Sequence, residues 1–308
     1  MNKTVKFLLK LIVSTSLLVW VLYGINWSEV VFYLGEIRWW QIALYLAAIL
    51  LGMVISAYKW QLLAHSKGFM LPLADFFKLY FTGSFINNFM PSFIGGDTYR
   101  AYELGKKTKQ YPEAASTVMM DRITGFVGGS IIAFVFAIFN LDTILKSKAL
   151  MGFYLLLILS FGLDVFLPRF RHSTYLRQKF GKYIPQKIKI FLNELGRYNN
   201  DSGILSKATL GGAIFAFVGV AIPNYILFWS LGIHIDILDY LSTIFIISII
   251  SVIPISINNI GLKEWAYVTF FGIYGISSAS VISVALLSRF LQMLLSFFAL
   301  PLYLKSKK

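Results

Sequence analysis

MPSFIGGDTYR, running from Met90 to Arg100, brings a proline, a glycine pair, an acid and an arginine into an otherwise apolar chain. Proline and glycine interrupt helices, and charged side chains are costly in hydrocarbon. The stretch is therefore either a connecting loop or a break in a membrane helix with a purpose. The choice decides the fold, because the apolar segment before it is long enough to enter a bilayer.

The composition is that of an integral membrane protein. The 308 residues are 57% hydrophobic and 14% charged, with a mean hydropathy of +0.71, which excludes an ordinary soluble domain. The net charge of +14 does not indicate nucleic-acid binding, because the basic residues lie in short blocks between apolar segments. We therefore predict one integral membrane domain, residues 1–308, in the cytoplasmic membrane, with no nucleic-acid partner.

Several kinds of chemistry lack the residues that they need. The chain has no cysteine, which excludes disulfides and thiolate metal sites. Its three histidines are widely separated, so no metal site is predicted: His65, His172 and His234. Walker A, dinucleotide-binding, HExxH and GxSxG motifs are also missing from the sequence, so we expect no cofactor, no ATP-driven pump and no standard hydrolase.

Apolar stretches of about 20 residues, the length that crosses a bilayer as a helix, predict an all-α polytopic transmembrane bundle. Six full spans are expected near 5–23, 41–63, 117–139, 150–167, 208–231 and 280–304. Two further apolar segments, near 76–94 and 239–275, are interrupted. The breaks contain Asn87, Asn88, Pro91, Gly95 and Gly96 in the first segment, and Pro254, Asn258, Asn259 and Gly261 in the second.

The distribution of positive charge predicts the topology. If 76–94 crossed completely, the basic loop 168–207 would lie outside, against the positive-inside rule. A re-entrant 76–94 keeps this loop and both termini in the cytoplasm. By the same parity the second broken segment enters from outside, and opposed broken segments are typical of transporters built from inverted repeats. The loop itself is either an amphipathic helix on the inner leaflet or a solvated basic loop.

The first break is a candidate anion site. Gly95 and Gly96 are expected to allow a sharp turn, Asp97 to cap a helix over Thr98–Gly105, and Arg100 to face an anion one turn into that helix. The alternative is that Asp97 only caps the helix and Arg100 is only a cytoplasmic basic residue.

Charged residues also lie inside predicted spans and after the second break. Asp121, Arg122 and Arg289 would each cost ~2.5–3.5 kcal/mol against lipid, so they should face the bundle interior, either as a binding site or as structural salt bridges. Glu264 is either stabilised by a helix dipole or a proton carrier. The predicted substrate-binding set is Asn87, Asp97, Arg100, Asp121, Arg122, Asn258, Lys263, Glu264 and Arg289, with backbone breaks at Pro91, Gly95, Gly96, Pro254 and Gly261.

Four motifs together resemble the transmembrane domain of the lysylphosphatidylglycerol synthase family over nearly the whole chain. They are P-S-F-I-G-G-D-T-Y-R (Pro91 to Arg100), D-R-I-T-G (Asp121 to Gly125), P-I-S-I-N-N-I-G-L-K-E (Pro254 to Glu264) and the late Arg289. The resemblance implies a flippase for aminoacylated phosphatidylglycerol, or a relative of archaeal proteins linked to dolichol-phosphate sugar transfer.

The sequence departs from the family in two respects. Asn259 replaces an expected glycine, and Lys263 stands where an arginine is common. In multidomain members a separate soluble domain makes the lipid, and this sequence ends at Lys308 directly after its last predicted span. A lysyltransferase activity is therefore not expected.

The leading hypothesis is a flippase-like protein that binds or translocates an anionic lipid, either a modified phosphatidylglycerol or a polyprenyl-phosphate-linked glycan precursor. The alternative is a membrane-embedded glycosyltransferase, or an accessory to one, acting on polyprenyl-phosphate sugars. Its external carboxylate would be Glu29 or Glu36. A third hypothesis is a non-transporting partner of cell-envelope synthesis enzymes. The oligomeric state is not predicted.

Overall fold

Helices make up nearly all of the computed structural model, which describes residues 27–88, 94–171, 186–251, 256 and 259–306. The first half contains α1 (Trp27–Gly35), α2 (Trp39–His65), α3 (Leu73–Asn87), α4 (Ile94–Thr108), α5 (Tyr111–Phe139), α6 (Leu141–Lys146) and α7 (Lys148–Arg171). The second half contains α8 (Gln186–Arg197), α9 (Ser202–Ser230), α10 (Ile237–Ile250), α11 (Leu262–Phe271), α12 (Ser278–Phe297) and α13 (Leu300–Ser306). Within α9 the residues Ala216–Ala221 form a π-helical stretch.

Four of the described helices are long and apolar enough to cross a membrane: α2, α5, α9 and α12. They correspond to four of the predicted spans, and the chain is a polytopic membrane bundle. Shorter apolar helices cover Lys148–Leu159, in the fourth predicted span, and Ile237–Ile250. The prediction for 280–304 was too long, because α12 ends at Phe297, four residues before Pro301, whose ring clashes with a helical carbonyl at that distance. The predicted span 5–23 lies outside the described residues.

The first broken segment is an antiparallel pair of helices. Near the open end, Lys107 of α4 lies 3.5 Å from Asp75 of α3. Near the tip, the Asn87 side chain at the end of α3 accepts a hydrogen bond of 2.7 Å from the Gly96 backbone N–H of α4. α3 and α4 therefore form a helical hairpin, with both outer ends on the same side of the pair.

Two details predicted for this break were wrong. Gly95 and Gly96 lie inside α4 instead of forming the turn, and Asp97 lies in the first helical turn instead of at the cap. The reason is close packing between the two helices, since a Cβ on Gly96 would lie 2.3 Å from the Gly83 carbonyl oxygen of α3. Gly96 therefore allows the hairpin to close, and the helix starts earlier than its acid suggested. Pro91 lies outside the described residues.

The second broken segment is also an antiparallel hairpin, formed by α10 and α11. The Tyr240 and Phe271 rings stack 6.1 Å apart, and Thr243 Oγ1 donates to Tyr274 Oη over 3.1 Å. At the tip, Asn259 donates to the Ser251 carbonyl. At Gly261, one of the predicted break positions, the backbone has a φ of +81° and the residue caps α11. Pro254 and Asn258 lie outside the described residues.

The long helices α2 and α9 run antiparallel and touch through bare backbone. Trp40 packs edge-on against Trp229 at one end of the pair, with ring centroids 5.3 Å apart. In the middle, a Cβ on Gly52 would lie 2.5 Å from the Cα of Gly219. Only glycine fits where the two helices cross, so this contact sets how closely α2 and α9 approach each other at the centre of the bundle.

The described part of the basic loop 168–207 is largely helical. α8 occupies Gln186–Arg197, and Leu195 packs with Tyr198 against the buried Leu63 of α2. Lys67, just after α2, pairs with Glu194 at 3.0 Å. Of the two interpretations of this loop, the described residues therefore favour the amphipathic helix, held against the C-terminal end of α2.

Candidate functional site

Five charged side chains form one connected row, here called the charge row: Lys59, Asp121, Arg100, Asp97 and Arg122. Lys59 Nζ lies 3.0 Å from Asp121 Oδ1, and Arg100 Nη1 donates to Asp121 Oδ2 over 3.2 Å. Arg100 Nη2 donates to Asp97 Oδ1 over 2.6 Å. Arg122 donates to the same carboxylate through Nε at 2.8 Å and Nη2 at 3.1 Å. The sign of charge alternates along the row, and both ends are cationic.

Burial decreases along the row. The exposed fraction of the side chain is 4% for Lys59, 2% for Asp121 and 3% for Arg100, but 20% for Asp97 and 43% for Arg122. Three helices supply the row, because Lys59 lies on α2, Asp97 and Arg100 on α4, and the remaining two on α5, while α3 lines Arg100. The row therefore runs from the sealed interior of the bundle to a partly exposed arginine side chain.

Aromatic rings and glycines shape the space around the row. The Arg100 guanidinium carbon lies 4.3 Å from the Tyr80 ring centroid and 4.9 Å from that of Trp60, within range of cation–π contacts. The Trp60 Nε1–H donates to Thr117 Oγ1 over 2.9 Å, which fixes the indole. A Cβ on Gly83 would lie 3.3 Å from the Arg100 Cγ, so this glycine makes room for the arginine.

Lys59 passes between two glycines. A Cβ on Gly125 would lie 2.9 Å from Lys59 Nζ, and one on Gly211 would lie 3.2 Å from its Cγ. The ammonium group also donates to the Asp121 carbonyl over 2.6 Å. Lys59 was not among the predicted site residues. The sequence does mark it, because a lysine inside the predicted span 41–63 is as costly against lipid as Asp121 is inside the span 117–139.

Each carboxylate of the row contacts two cationic side chains. Asp97 lies between Arg100 and Arg122 and accepts hydrogen bonds from both. Asp121 likewise faces two cations, Lys59 and Arg100. Three cations and two carboxylates leave the row with one surplus positive charge.

A second group of charges lies at the tip of the other hairpin. Glu264 Oε1 accepts from Arg289 Nε over 3.1 Å and from Nη2 over 2.9 Å, while its Oε2 accepts from the Gly261 N–H over 2.8 Å. Arg289 Nη2 also donates to the Asn259 carbonyl over 3.1 Å. The buried Glu264 therefore caps α11 and pairs with α12 at once.

Neutral polar groups surround this second site. Lys263 Nζ donates to Ser288 Oγ over 3.0 Å, and the Tyr45 hydroxyl donates to the same oxygen over 3.1 Å. Gln292 donates to the Tyr45 hydroxyl over 2.8 Å. No sequence pattern marks Tyr45, Ser288 or Gln292, because single neutral polar residues are common in apolar helices.

The predicted site residues thus fall into two places. The charge row holds Asp97, Arg100, Asp121 and Arg122, with Asn87 beside Gly96, and the second site holds Lys263, Glu264 and Arg289. On α2, Tyr45 of the second site lies fourteen residues before Lys59, which corresponds to ~21 Å along a helix. Glu29, on α1, and Glu36, just after it, are exposed.

The two places share one pattern. In each, an acid in the first turn of the second hairpin helix binds an arginine that lies 25 residues further on, Asp97 with Arg122 and Glu264 with Arg289. Each arginine is the twelfth residue of the long helix that follows its hairpin. The spacing from acid to arginine is therefore identical in the two halves of the chain.

Comparison with known proteins supports the resemblance noted in the motifs. A family model described as the lysylphosphatidylglycerol synthase TM region matches residues 7–299. Among curated proteins, the UPF0104 membrane protein MJ1595 of Methanocaldococcus jannaschii is 24% identical over 270 residues, covering 80% of this chain and 78% of that protein. No solved structure gives a significant match.

Proposed function

Because the chain belongs to the lysylphosphatidylglycerol synthase TM region family, we propose that it is a flippase-like protein that binds an anionic lipid and moves its headgroup between leaflets. The observation that carries the proposal is the charge row, which extends from the bundle interior to the accessible Arg122. Charged groups inside a membrane bundle are costly and mark substrate pathways in transport proteins. The lipid class is a modified phosphatidylglycerol or a polyprenyl-phosphate-linked precursor.

An inverted repeat supplies the framework for transport. Asp97 and Glu264 are 167 positions apart, and so are Arg122 and Arg289. The same shift carries the start of α5 at Tyr111 onto the start of α12 at Ser278, and the hairpin α3–α4 onto α10–α11. The two halves are therefore equivalent helix–hairpin–helix units.

The contact between α2 and α9 supports the inverted orientation of these units. Gly52 and Gly219, which touch at the centre of the bundle, are also 167 positions apart. Equivalent residues meet in this way only near a two-fold axis, and the antiparallel course of α2 and α9 sets that axis perpendicular to both helices. Opposed hairpins around such an axis are the arrangement in which transporters alternate access to a central path.

The mechanism that we propose uses the two arginines at equivalent positions. Arg122 and Arg289 each attract the lipid phosphate from one membrane face, while Asp97 and Glu264 orient them and the acyl chains stay in lipid. Rocking of one half against the other then exposes the two sites in turn. Arg100 and Asp121 hold the pair of Asp97 and Arg122 in place from within the bundle.

Transport is tested in vesicles of neutral lipid that contain a trace of fluorescent phosphatidylglycerol, with a membrane-impermeant quencher outside. The protein should speed quenching of the inner-leaflet probe. Arg122→Gln or Arg289→Gln should slow this quenching about tenfold, which corresponds to an activation free energy higher by about 1.4 kcal/mol. Arg197→Gln is the matched control, because Arg197 is 70% exposed and bound to Glu194. Wild-type rates in both folded variants would overturn the site, and quenching no faster than in empty vesicles would overturn the function.

A further inference from the structure

We propose that the charge row binds a single monoanionic phosphodiester headgroup at Arg122, and that Lys59, at the far end of the row, sets the charge that makes this binding possible. The inference deepens the proposed lipid-binding function and rests on it. Lys59 does not touch the ligand in this arrangement. It acts as a positioning and charge-setting residue through Asp121, Arg100 and Asp97.

The charge of the row selects the ligand. Three cations and two carboxylates carry a surplus of one positive charge, and the low-dielectric interior leaves little water to screen it. A phosphodiester monoanion neutralises the row completely. A zwitterionic headgroup leaves the surplus in place, and a phosphomonoester dianion replaces it with a negative charge.

Exposure fixes the point of contact. Arg122 is 43% exposed, whereas Lys59 and Arg100 are sealed behind aromatic rings and glycine-lined helix contacts. Asp97 now occupies the guanidinium fork of Arg122 with both oxygens. A phosphodiester offers the same pair of oxygens, and Asp97 keeps its bond to Arg100 when Arg122 turns to the ligand.

The role of Lys59 follows from its place in the row. Its one carboxylate contact among the described residues is Asp121, the group that also receives Arg100. Lys59→Met leaves two cations and two carboxylates, so the row is neutral and has no surplus positive charge to attract an anion. Lys59→Met with Asp121→Asn removes both ends of that contact and restores the surplus, because Arg100, Asp97 and Arg122 remain.

Binding is measured by titrating dioctanoyl-phosphatidylglycerol into the full chain in neutral detergent, with dioctanoyl-phosphatidylcholine as the zwitterionic reference. Lys59→Met should weaken phosphatidylglycerol binding about tenfold, the order expected of one charge acting over several ångströms in protein. The double variant should return affinity to about the wild-type level. Binding of phosphatidylcholine should be weak and equal in all three proteins.

The matched control is another buried lysine–carboxylate pair near the same end of α2, Lys67 with Glu194, whose side chains are 8% and 6% exposed. Lys67→Met should lower the melting temperature without changing phosphatidylglycerol affinity. If Lys59 had only a structural role, the folded double variant would bind phosphatidylglycerol as poorly as Lys59→Met, and the proposal would fail.

Two further outcomes separate this inference from the proposed function. Unchanged affinity in folded Lys59→Met would overturn the role of Lys59 while leaving lipid transport intact. Wild-type protein that binds inorganic phosphate but not the lipid would overturn the lipid as ligand of the row. Conversely, rescued binding in the double variant supports the inference even if the vesicles reveal no transport.

Discussion

At the scale of the residue, the pair of Glu264 and Arg289 joins two elements of the bundle. Glu264 is buried, caps α11 through the Gly261 N–H and binds Arg289 of α12, so one carboxylate joins the hairpin to the long helix that follows it. Breaking such a pair costs free energy mainly because it leaves the partly buried Arg289 charge unpaired in surroundings that solvate it poorly.

Glu264→Gln should therefore lower the free energy of unfolding by about 2–3 kcal/mol, less than for a fully buried pair, since it leaves the 27% exposed Arg289 side chain without its carboxylate. Glu264→Gln with Arg289→Gln should be less destabilising than Glu264→Gln alone. Unfolding in mixed detergent micelles, followed by circular dichroism, measures both.

The control for this pair is Lys78→Gln, which breaks a contact with Asp75 where the lysine is 56% exposed. It should change the unfolding free energy by less than about 0.5 kcal/mol. A double variant at Glu264 and Arg289 that is less stable than Glu264→Gln alone would contradict the unpaired-charge explanation.

At the scale of the element, small residues decide how closely the helices pack. A Cβ on Gly128 of α5 would lie 2.4 Å from the Thr209 carbonyl of α9, and one on Gly212 of α9 would lie 2.5 Å from the Thr124 carbonyl of α5. The backbone atoms on both sides leave no flexible group to move aside. These glycines therefore set the spacing of α5 and α9, which in turn positions Asp121.

Gly128→Ala should destabilise the protein by about 1–3 kcal/mol, because the helices must separate to admit the methyl group. Gly152→Ala in α7 is the matched control, since nothing lies within 4 Å of a Cβ there, and its helical position favours alanine slightly. Melting temperatures measured side by side decide the matter, and equal stability of the two variants would contradict the packing argument.

The elements also show how much of the fold the sequence could predict. Hydropathy located the four long helices and both breaks, because apolar length and Pro or Gly interruptions are local properties. The role of Gly96 differed from the prediction, since it depends on Gly83, a residue that only the folded hairpin brings near. Lys59 could have been predicted by the same reasoning as Asp121, because both are charged residues inside apolar spans. Tyr45 and Ser288 are neutral, and no local sequence pattern distinguishes them.

At the scale of the whole molecule, the hairpins determine which loops share a membrane face. If α3 and α4 enter and leave from one side, Ser66 before the hairpin and Gln110 after it lie on that side. His234 and Ser278, which flank the second hairpin, then lie on the opposite side. All four residues are exposed in the structure.

The chain has no cysteine of its own, so single substitutions of these four residues by cysteine give clean reporters. An impermeant maleimide applied to intact cells should label His234→Cys and Ser278→Cys. It should reach Ser66→Cys and Gln110→Cys only after the membrane is opened. Labelling of Ser66 and Gln110 from opposite sides would make the first hairpin a full crossing and overturn the re-entrant topology.

The bare contact of Gly52 with Gly219 has a kinetic consequence. In a molecule whose halves exchange shapes, a pair that lies on the two-fold axis has the same surroundings before and after the exchange. We therefore expect Gly52→Ala combined with Gly219→Ala, which alters both members of the pair alike, to change the forward and reverse rates of the proposed exchange by one common factor and to leave the balance of its two forms untouched. Lys59 lies away from this contact and has Ile226 at the equivalent position, so under the proposed mechanism we expect a change at Lys59 to shift that balance instead.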